Sequence, residues 1–218
     1  MESPLCTAAE LRSDPDFRLI ETLGWRPGAG FGHLDRHLAR MGRSAMALGI
    51  RFDAVAAREL LESHVREQAL RCRLTLDAQG QLDLTSAPLG APATGWTLAI
   101  ADDRLHSDNI WLRYKTTRRA QYDQARAALP EGVDELLFLN ERGELCEGTI
   151  TNLFLTLADG SKVTPPLASG VLPGIMRETL LSSGEVSERT LTLDDLQNAR
   201  EIHMGNSLRG LIPTRLES

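Results

Sequence analysis

The pattern of the chain predicts an α+β fold, and three observations carry that prediction. Strand-like runs are mixed with helix pairs and do not alternate strictly with them, which disfavours a parallel βαβ sheet. Hydrophobic residues make up 42% and charged residues 25% of the 218 residues, the proportions of an ordinary globular protein. A polar, irregular stretch at 102–113, DDRLHSDNIWLR, separates two parts of the pattern and reads as an interdomain connection. The expected division is therefore a smaller α/β lobe over 1–105 and a second lobe over 106–218.

The elements follow in order. Residues 17–25, FRLIETLGW, read as a strand ended by the turn RPGAGFG. Leu34, Leu38, Met41, Ala45 and Leu48 recur at helical spacing, and Gly49 stands where a C-terminal cap belongs. Asp53 can cap a second helix running to Gln68, with Val55, Leu60, Leu61 and Val65 inward. RCRLTLD and QLDLTSA flank AQG as a hairpin, and TGWTLAIADD is a further strand. Thr117–Leu129 reads as a helix with Pro130 beyond its end. DELLFLN, ERGELCEG and TNLFLTLA form a meander with turns at NERG and ADG. A helix starts near Pro173, EVSERTLT is a strand, LDDLQNA a short helix, and REIHMGNS and LIPTRLE are closing strands.

Charge and cysteine usage exclude several classes. With 24 basic and 30 acidic residues the formal charge is −6, which argues against a nucleic-acid binder or a protein held on anionic membranes. No apolar run is long enough to span a bilayer. The opening MESPLCTAAELRSD lacks the apolar core of a signal peptide. Cys6, Cys72 and Cys146 form no CxxC and read as reduced thiols of a cytoplasmic protein. His33 and His37 stand four apart without a third ligand at sensible spacing, so they read as helix residues and no metal is expected. Only two of the 24 cationic residues are lysines, Lys115 and Lys162. An amine can lose its proton and form a Schiff base, which a guanidinium cannot. Lys162 lies in the turn DGSKVTP and reads as solvated.

Four segments depart from plain scaffold: HLDRHLARMGRSA, RYKTTRR, GELCEGTITNLF with VLPGIMRE, and IHMGNSLRGLIP. Each alone has a plainer reading, as an amphipathic helix, a basic face, a hairpin with a proline helix start, and a Gly/Asn turn. Their order and spacing together resemble the fold-type IV pyridoxal-phosphate enzymes. That family contains branched-chain aminotransferases, D-amino-acid aminotransferases and aminodeoxychorismate lyases. The resemblance runs from about Leu19 to Leu216 and is strongest from Lys115 onward. The NSLRG tail and the short NLF strand are most similar to the lyases.

The resemblance implies a two-lobed, D-amino-acid-aminotransferase-like fold and a pyridoxal 5′-phosphate cofactor. Lys115 matches the Schiff-base lysine, with Arg113, Arg118 and Arg119 as nearby positive charges that help keep the amine neutral. Glu147 matches the acid that faces the pyridine nitrogen. Arg40 matches the phosphate arginine. The amides of Ile175 and Met176 stand at a helix N-terminus suited to an anion, with Gly174 permitting close approach. Ser207 matches a hydroxyl contact to phosphate, with the amides of Leu208 and Arg209 as further donors, and Leu172 packs on the ring. Asn152 braces its loop. Tyr114 and Tyr122 flank the lysine, either being placed to bond the cofactor's phenolic oxygen. Arg119 or Arg209 is expected to bind a substrate carboxylate.

Two departures stand out. The usual longer N-terminus with a YGDGVFE-like stretch is missing, so the first lobe is trimmed where relatives form part of the substrate pocket. Arg118 and Arg119 replace the usual NR after the lysine. The resemblance implies an enzyme of the aminodeoxychorismate lyase type, releasing pyruvate and forming 4-aminobenzoate in folate biosynthesis. The alternatives are a branched-chain or D-amino-acid aminotransferase with the same residues, and a catalytically degenerate cofactor-binding protein. The expected partner is a small-molecule amine, and the expected assembly a homodimer.

Overall fold

The computed structural model describes residues 8–217, so Cys6 and the start of the opening stretch lie outside it. The chain packs as two compact units. The first runs to Ala91 and takes back Tyr114–Arg118; the second holds Pro92–Arg113 and the chain from Arg119 onward. The expected boundary at 105/106 is thereby moved, for reasons that lie in the strand pairing of each unit.

The first unit contains α1 (Ala8–Arg12), β1 (Arg18–Arg26), β2 (Gly30–Phe31), α2 (Leu34–Ala47), α3 (Ala54–Ser63), β3 (Leu70–Asp77) and β4 (Leu82–Pro88). The strands form one sheet in the order β2-β1-β3-β4, with antiparallel pairing throughout. β3 alternates as a half-buried strand should: Leu70, Cys72, Leu74 and Leu76 are buried, and Arg71 and Arg73 are exposed. Leu19, Glu21 and Leu23 of β1 pair with Leu76, Leu74 and Cys72, which puts a carboxylate in the apolar row of the sheet. α2 packs on β1, burying Leu38, Met41 and Ala45 together with His37 and Arg40. Gly49 takes φ 66°, the left-handed value its cap position requires. Asp53 caps α3 by accepting from the amides of Val55 and Ala56, both at 3.0 Å. That cap sets the phase of α3 so that Ala57 and Leu61 face inward while Val55 is exposed, and the helix ends before Val65. The segment 115–117 extends this unit: Ile20 N donates to Lys115 O at 2.8 Å and Thr117 N to Arg18 O at 3.0 Å. Pairing with β1 delays the following helix, expected from Thr117, to Ala120.

The second unit contains β5 (Trp96–Leu105), α4 (Ala120–Ala127), β6 (Glu135–Asn140), β7 (Leu145–Gly148), β8 (Asn152–Thr156) and β9 (Lys162–Thr164). It continues with α5 (Ile175–Ser182), β10 (Ser187–Glu188), α6 (Leu193–Gln197), β11 (Glu201–Asn206) and β12 (Gly210–Leu216). Its sheet runs β10-β9-β8-β11-β12-β5-β6-β7, and β7 pairs back onto β8. Six strands thus close on themselves, leaving β9 and β10 as a flap on β8. Closure removes the unpaired edges that an open sheet would expose. Leu98, Leu137, Leu139, Leu145, Leu153, Leu155 and Met204 fill one core, all at most 1% exposed. β5 carries on to Leu105 through a register shift between Ile100 and Arg104, so the first residues of the irregular stretch are strand and belong here. The run EVSERTLT is strand only at Ser187–Glu188, where it meets β9 in parallel. Among the described residues no helix is long and apolar enough to cross a membrane.

Candidate active site

In the first unit, Lys115 is half-buried on the segment paired to β1, and its backbone is fixed by the bond to Ile20. Thr116 bridges Leu19, so Lys115 stands on the opposite side of that segment from the apolar row of Leu19 and Glu21. Arg118 pairs with Asp14 at 3.3 Å and lies over the Phe17 ring, and Arg113 is exposed. Of the three arginines expected around the lysine, Arg118 is therefore charge-paired.

Arg40 is buried on α2. Its Nε donates to Glu21 Oε1 at 2.8 Å and its Nη2 to Glu21 Oε2 at 2.6 Å. His37, one turn earlier, bonds the same Oε2 through Nδ1 at 2.6 Å. Burial pushes the Glu21 carboxyl up, but the Arg40 charge and the hydrogen bonds from His37 and Arg40 outweigh burial and hold it down at about 2. Neither Glu21 nor the role of His37 emerges from local motifs. The available signal is an acid at the centre of the apolar strand FRLIETLGW, in phase with Leu19 and Leu23. His33 starts α2 at φ 55°, and burial with His37 and Arg36 lowers its pKa. Among the described residues no group of three or more His, Cys, Asp or Glu side chains could hold a metal.

In the second unit, Glu147 lies on β7, where all four residues are buried. Its Oε1 accepts from the Tyr122 hydroxyl at 2.7 Å, and its Oε2 from Asn152 Nδ2 and the Leu172 amide, both at 3.0 Å. Tyr122 rests edge-on against Phe138, and burial, followed by the Glu147 charge, raises its pKa well above the ordinary phenol value. Asn152 also donates to Leu172 O at 3.1 Å, so it braces the acid and the loop before α5 together. Its Oδ1 fills the space beside Gly174, where a Cβ would stand 1.9 Å away. The glycine at the start of α5 is thus required by Asn152 itself. The amides of Ile175 and Met176, in the first turn of α5, donate to no protein group among the described residues, and Gly174 supplies no side-chain cap.

The loop between β7 and β8 is held from beneath by Glu135, which is fully buried. Glu135 accepts from the amide of Thr149 at 3.0 Å and the hydroxyl of Thr151 at 2.9 Å. At Gly148 a Cβ would meet Thr151 Oγ1 at 2.5 Å and Glu135 Cδ at 2.8 Å, so no larger residue fits. Ser207 is half-buried in the turn between β11 and β12. That turn is closed by Asn206, whose Oδ1 accepts from the amides of Leu208 at 3.0 Å and Arg209 at 2.9 Å. Those two amides, expected as phosphate donors, are engaged within the turn. Arg119 is committed as well: Nε donates to Asp123 at 2.8 Å and Nη2 to Thr149 O at 2.7 Å, with the guanidinium over Tyr122. Arg209 is exposed and its guanidinium contacts only the Trp96 ring among the described residues. Lys162 is exposed on β9, and Cys72 and Cys146 are free and buried.

The family model of amino-transferase class IV matches residues 18–216 of this chain. The chain belongs to the class IV aminotransferase family. Members of this family are pyridoxal-phosphate-dependent enzymes. The chain is 44% identical to a Mesorhizobium loti protein solved as a candidate amino-acid aminotransferase, with a TM-score of 0.88 over 93% of this chain and 100% of that one. It is 28% identical over 214 residues to a candidate branched-chain-amino-acid aminotransferase of Thermotoga maritima, covering 91% of this chain and 76% of the relative. It is 32% identical over 135 residues to the aminodeoxychorismate lyase of Saccharomyces cerevisiae, a match to 54% of this chain that spans only 36% of the yeast enzyme. This class IV chain therefore has named relatives of both reaction types.

Proposed function

We propose that the chain is a pyridoxal-phosphate-dependent lyase of the aminodeoxychorismate type. The observation that carries the cofactor reading is Glu147, a buried carboxylate held by three donors beside a helix start whose amides are open. These residues fit the cofactor: an acid for the ring nitrogen and an anion seat for the phosphate stand in one unit, tied together by Asn152. When bound, the cofactor supplies an electron sink for a carbanion at the substrate carbon. Glu147 holds the proton on the pyridine nitrogen. In the second unit the amides of Ile175 and Met176 and the Ser207 hydroxyl bind the phosphate, Gly174 lets it approach, and Leu172 lies against the ring; in the first unit the family resemblance gives Arg40 the phosphate role. Leu208 contributes apolar packing, since its amide serves Asn206. Lys115 binds the cofactor through its amine and moves a proton at the amine-bearing carbon of the substrate. In the lyase reaction that proton leaves, the carbon–oxygen bond to the enolpyruvyl group breaks, and the group takes up a proton to become pyruvate while the ring becomes aromatic. Arg209, rather than Arg119, is the candidate for a substrate carboxylate.

The yeast relative supports the lyase reading. The 44% identity to the Mesorhizobium loti protein favours a second reading, an amino-acid aminotransferase using the same residues. We place either reaction in the cytoplasm, from the unspaced cysteines, and expect a homodimer, as the family resemblance implies. Two measurements test these readings. The purified protein with cofactor should show an absorption band near the visible edge that Lys115→Ala abolishes. A borohydride-fixed adduct persisting in that variant would remove Lys115 from the role. Incubation with aminodeoxychorismate should release pyruvate and 4-aminobenzoate. Transfer of an amine to a keto acid, without pyruvate release, would establish the aminotransferase instead.

A further inference from the structure

Glu21 is an expensive residue for a merely adhesive contact. Its carboxylate stands in the apolar row of β1, between Leu19 and Leu23, and is 1% exposed. Taking a carboxylate and a guanidinium out of water costs several kcal/mol per ion, and apolar side chains of similar size commonly hold a helix to a sheet as well. His37 adds to that cost. With Nδ1 donating to Glu21, its Nε2 is buried without a hydrogen-bond partner among the described residues. What the cluster supplies that apolar packing cannot is orientation. A guanidinium has five N–H groups. Glu21 takes the Nε edge of Arg40, through Nε and one Nη2 hydrogen, in a two-point fork that allows no rotation about the end of the side chain. This fixes the plane of the guanidinium, and with it the direction in which its remaining N–H groups point.

We propose that Glu21 is a positioning residue for the cofactor phosphate, acting through Arg40, with His37 steadying its carboxylate. The inference rests on the reading above that Arg40 binds that phosphate. Charge and geometry predict opposite signs, and this separates them. Removing a negative charge beside Arg40 should, by Coulomb attraction alone, tighten binding of a phosphate dianion. Loss of the fork should weaken it.

The test is a titration of the full chain, stripped of cofactor, with pyridoxal 5′-phosphate and separately with pyridoxal. The ratio of the two dissociation constants is the phosphate preference, a quantity that general loosening of the fold does not move selectively. Glu21→Gln should lower that preference roughly tenfold, the loss of one charge-assisted contact. Glu21→Asp keeps the charge and shortens the reach, so it should also lower the preference, and it stands in where the Gln variant fails to fold. An unchanged or increased preference in the folded variants overturns the inference. Arg40→Ala separates the two readings. If it lowers the preference while both Glu21 variants retain theirs, only the positioning role falls. If it leaves the preference unchanged, the assignment of Arg40 to the phosphate falls, and the inference with it.

Discussion

Among the described residues Glu147 accepts from the Tyr122 hydroxyl, Asn152 Nδ2 and the Leu172 amide, and its proposed service to a ring nitrogen rests on this bracing of both oxygens. Glu147→Gln preserves the shape of the site. Its amide oxygen can face the Leu172 and Asn152 donors while its NH2 faces the Tyr122 oxygen, provided that the hydroxyl rotates. The variant should therefore bind cofactor nearly as well as the parent and lose turnover by roughly a hundredfold, because an amide cannot hold the pyridine proton. Titration and kcat at saturating cofactor check both halves, and full activity would remove Glu147 from the ring nitrogen. At this scale the sequence is uneven. Lys115, Glu147 and the Pro-Gly helix start are legible because each stands in a short local motif. Tyr122 is 25 residues from Glu147, Glu135 lies 14 to 16 from the threonines it holds, and Glu21 is 16 and 19 from His37 and Arg40. Such partners are chosen by strand register and helix docking, which no local motif encodes. The engagement of the Leu208 and Arg209 amides is equally hidden, since Asn206 closes its own turn by accepting from residues two and three further on.

At the scale of elements, α2 and β1 are joined by a contact whose strength depends on pH. Glu21 has its carboxyl lowered from 4.5 to about 2 in the folded chain. A depressed acid adds stability above its unfolded pKa, and the contribution disappears as the pH falls through the folded value. The window is therefore from about 4.5 down to about 2, and the contribution is on the order of 3 kcal/mol at neutral pH. Denaturant unfolding of the parent and of Glu21→Gln should differ most near neutrality and converge as the pH falls through about 2, below which both side chains are uncharged. A constant gap across that range would show that the fork is not the source. The helix and the strand themselves are legible, because α2 repeats its apolar residues at helical spacing and β1 is bounded by a Gly/Pro turn. The phase of α3 is not, because it depends on where the Asp53 cap begins the first turn. The end of β5 is not either: Asp102, Asp103 and Arg104 are exposed residues of a bulged strand, and their polarity imitates a loop.

At the scale of the whole molecule, chain order and spatial order disagree, and this determines how the protein can be divided. β5 is adjacent in space to β6, its successor, and to β12, the last strand of the chain. It supplies Leu98 to the main core and Leu105 to a second one with Phe138 and Cys146. A fragment of residues 106–218, the lobe suggested by the irregular stretch, lacks this strand. The ring of six strands then has a gap between β12 and β6, with unpaired edges on both sides and core side chains without partners. The complementary fragment 1–105 carries β5 with nothing to pair it, and lacks the Lys115 segment that extends β1. Neither fragment should fold alone: each should give little cooperative unfolding and rapid proteolysis, while the two co-expressed should recover cofactor-dependent absorption only if β5 inserts in trans. Cutting at 91/92 respects the ring, since all six strands then remain in residues 92–218. That longer fragment should show a cooperative unfolding transition. Thermal unfolding of the two C-terminal fragments, 92–218 and 106–218, gives the comparison directly. Equal cooperativity in both would mean that β5 is dispensable and that the sheet closes without it.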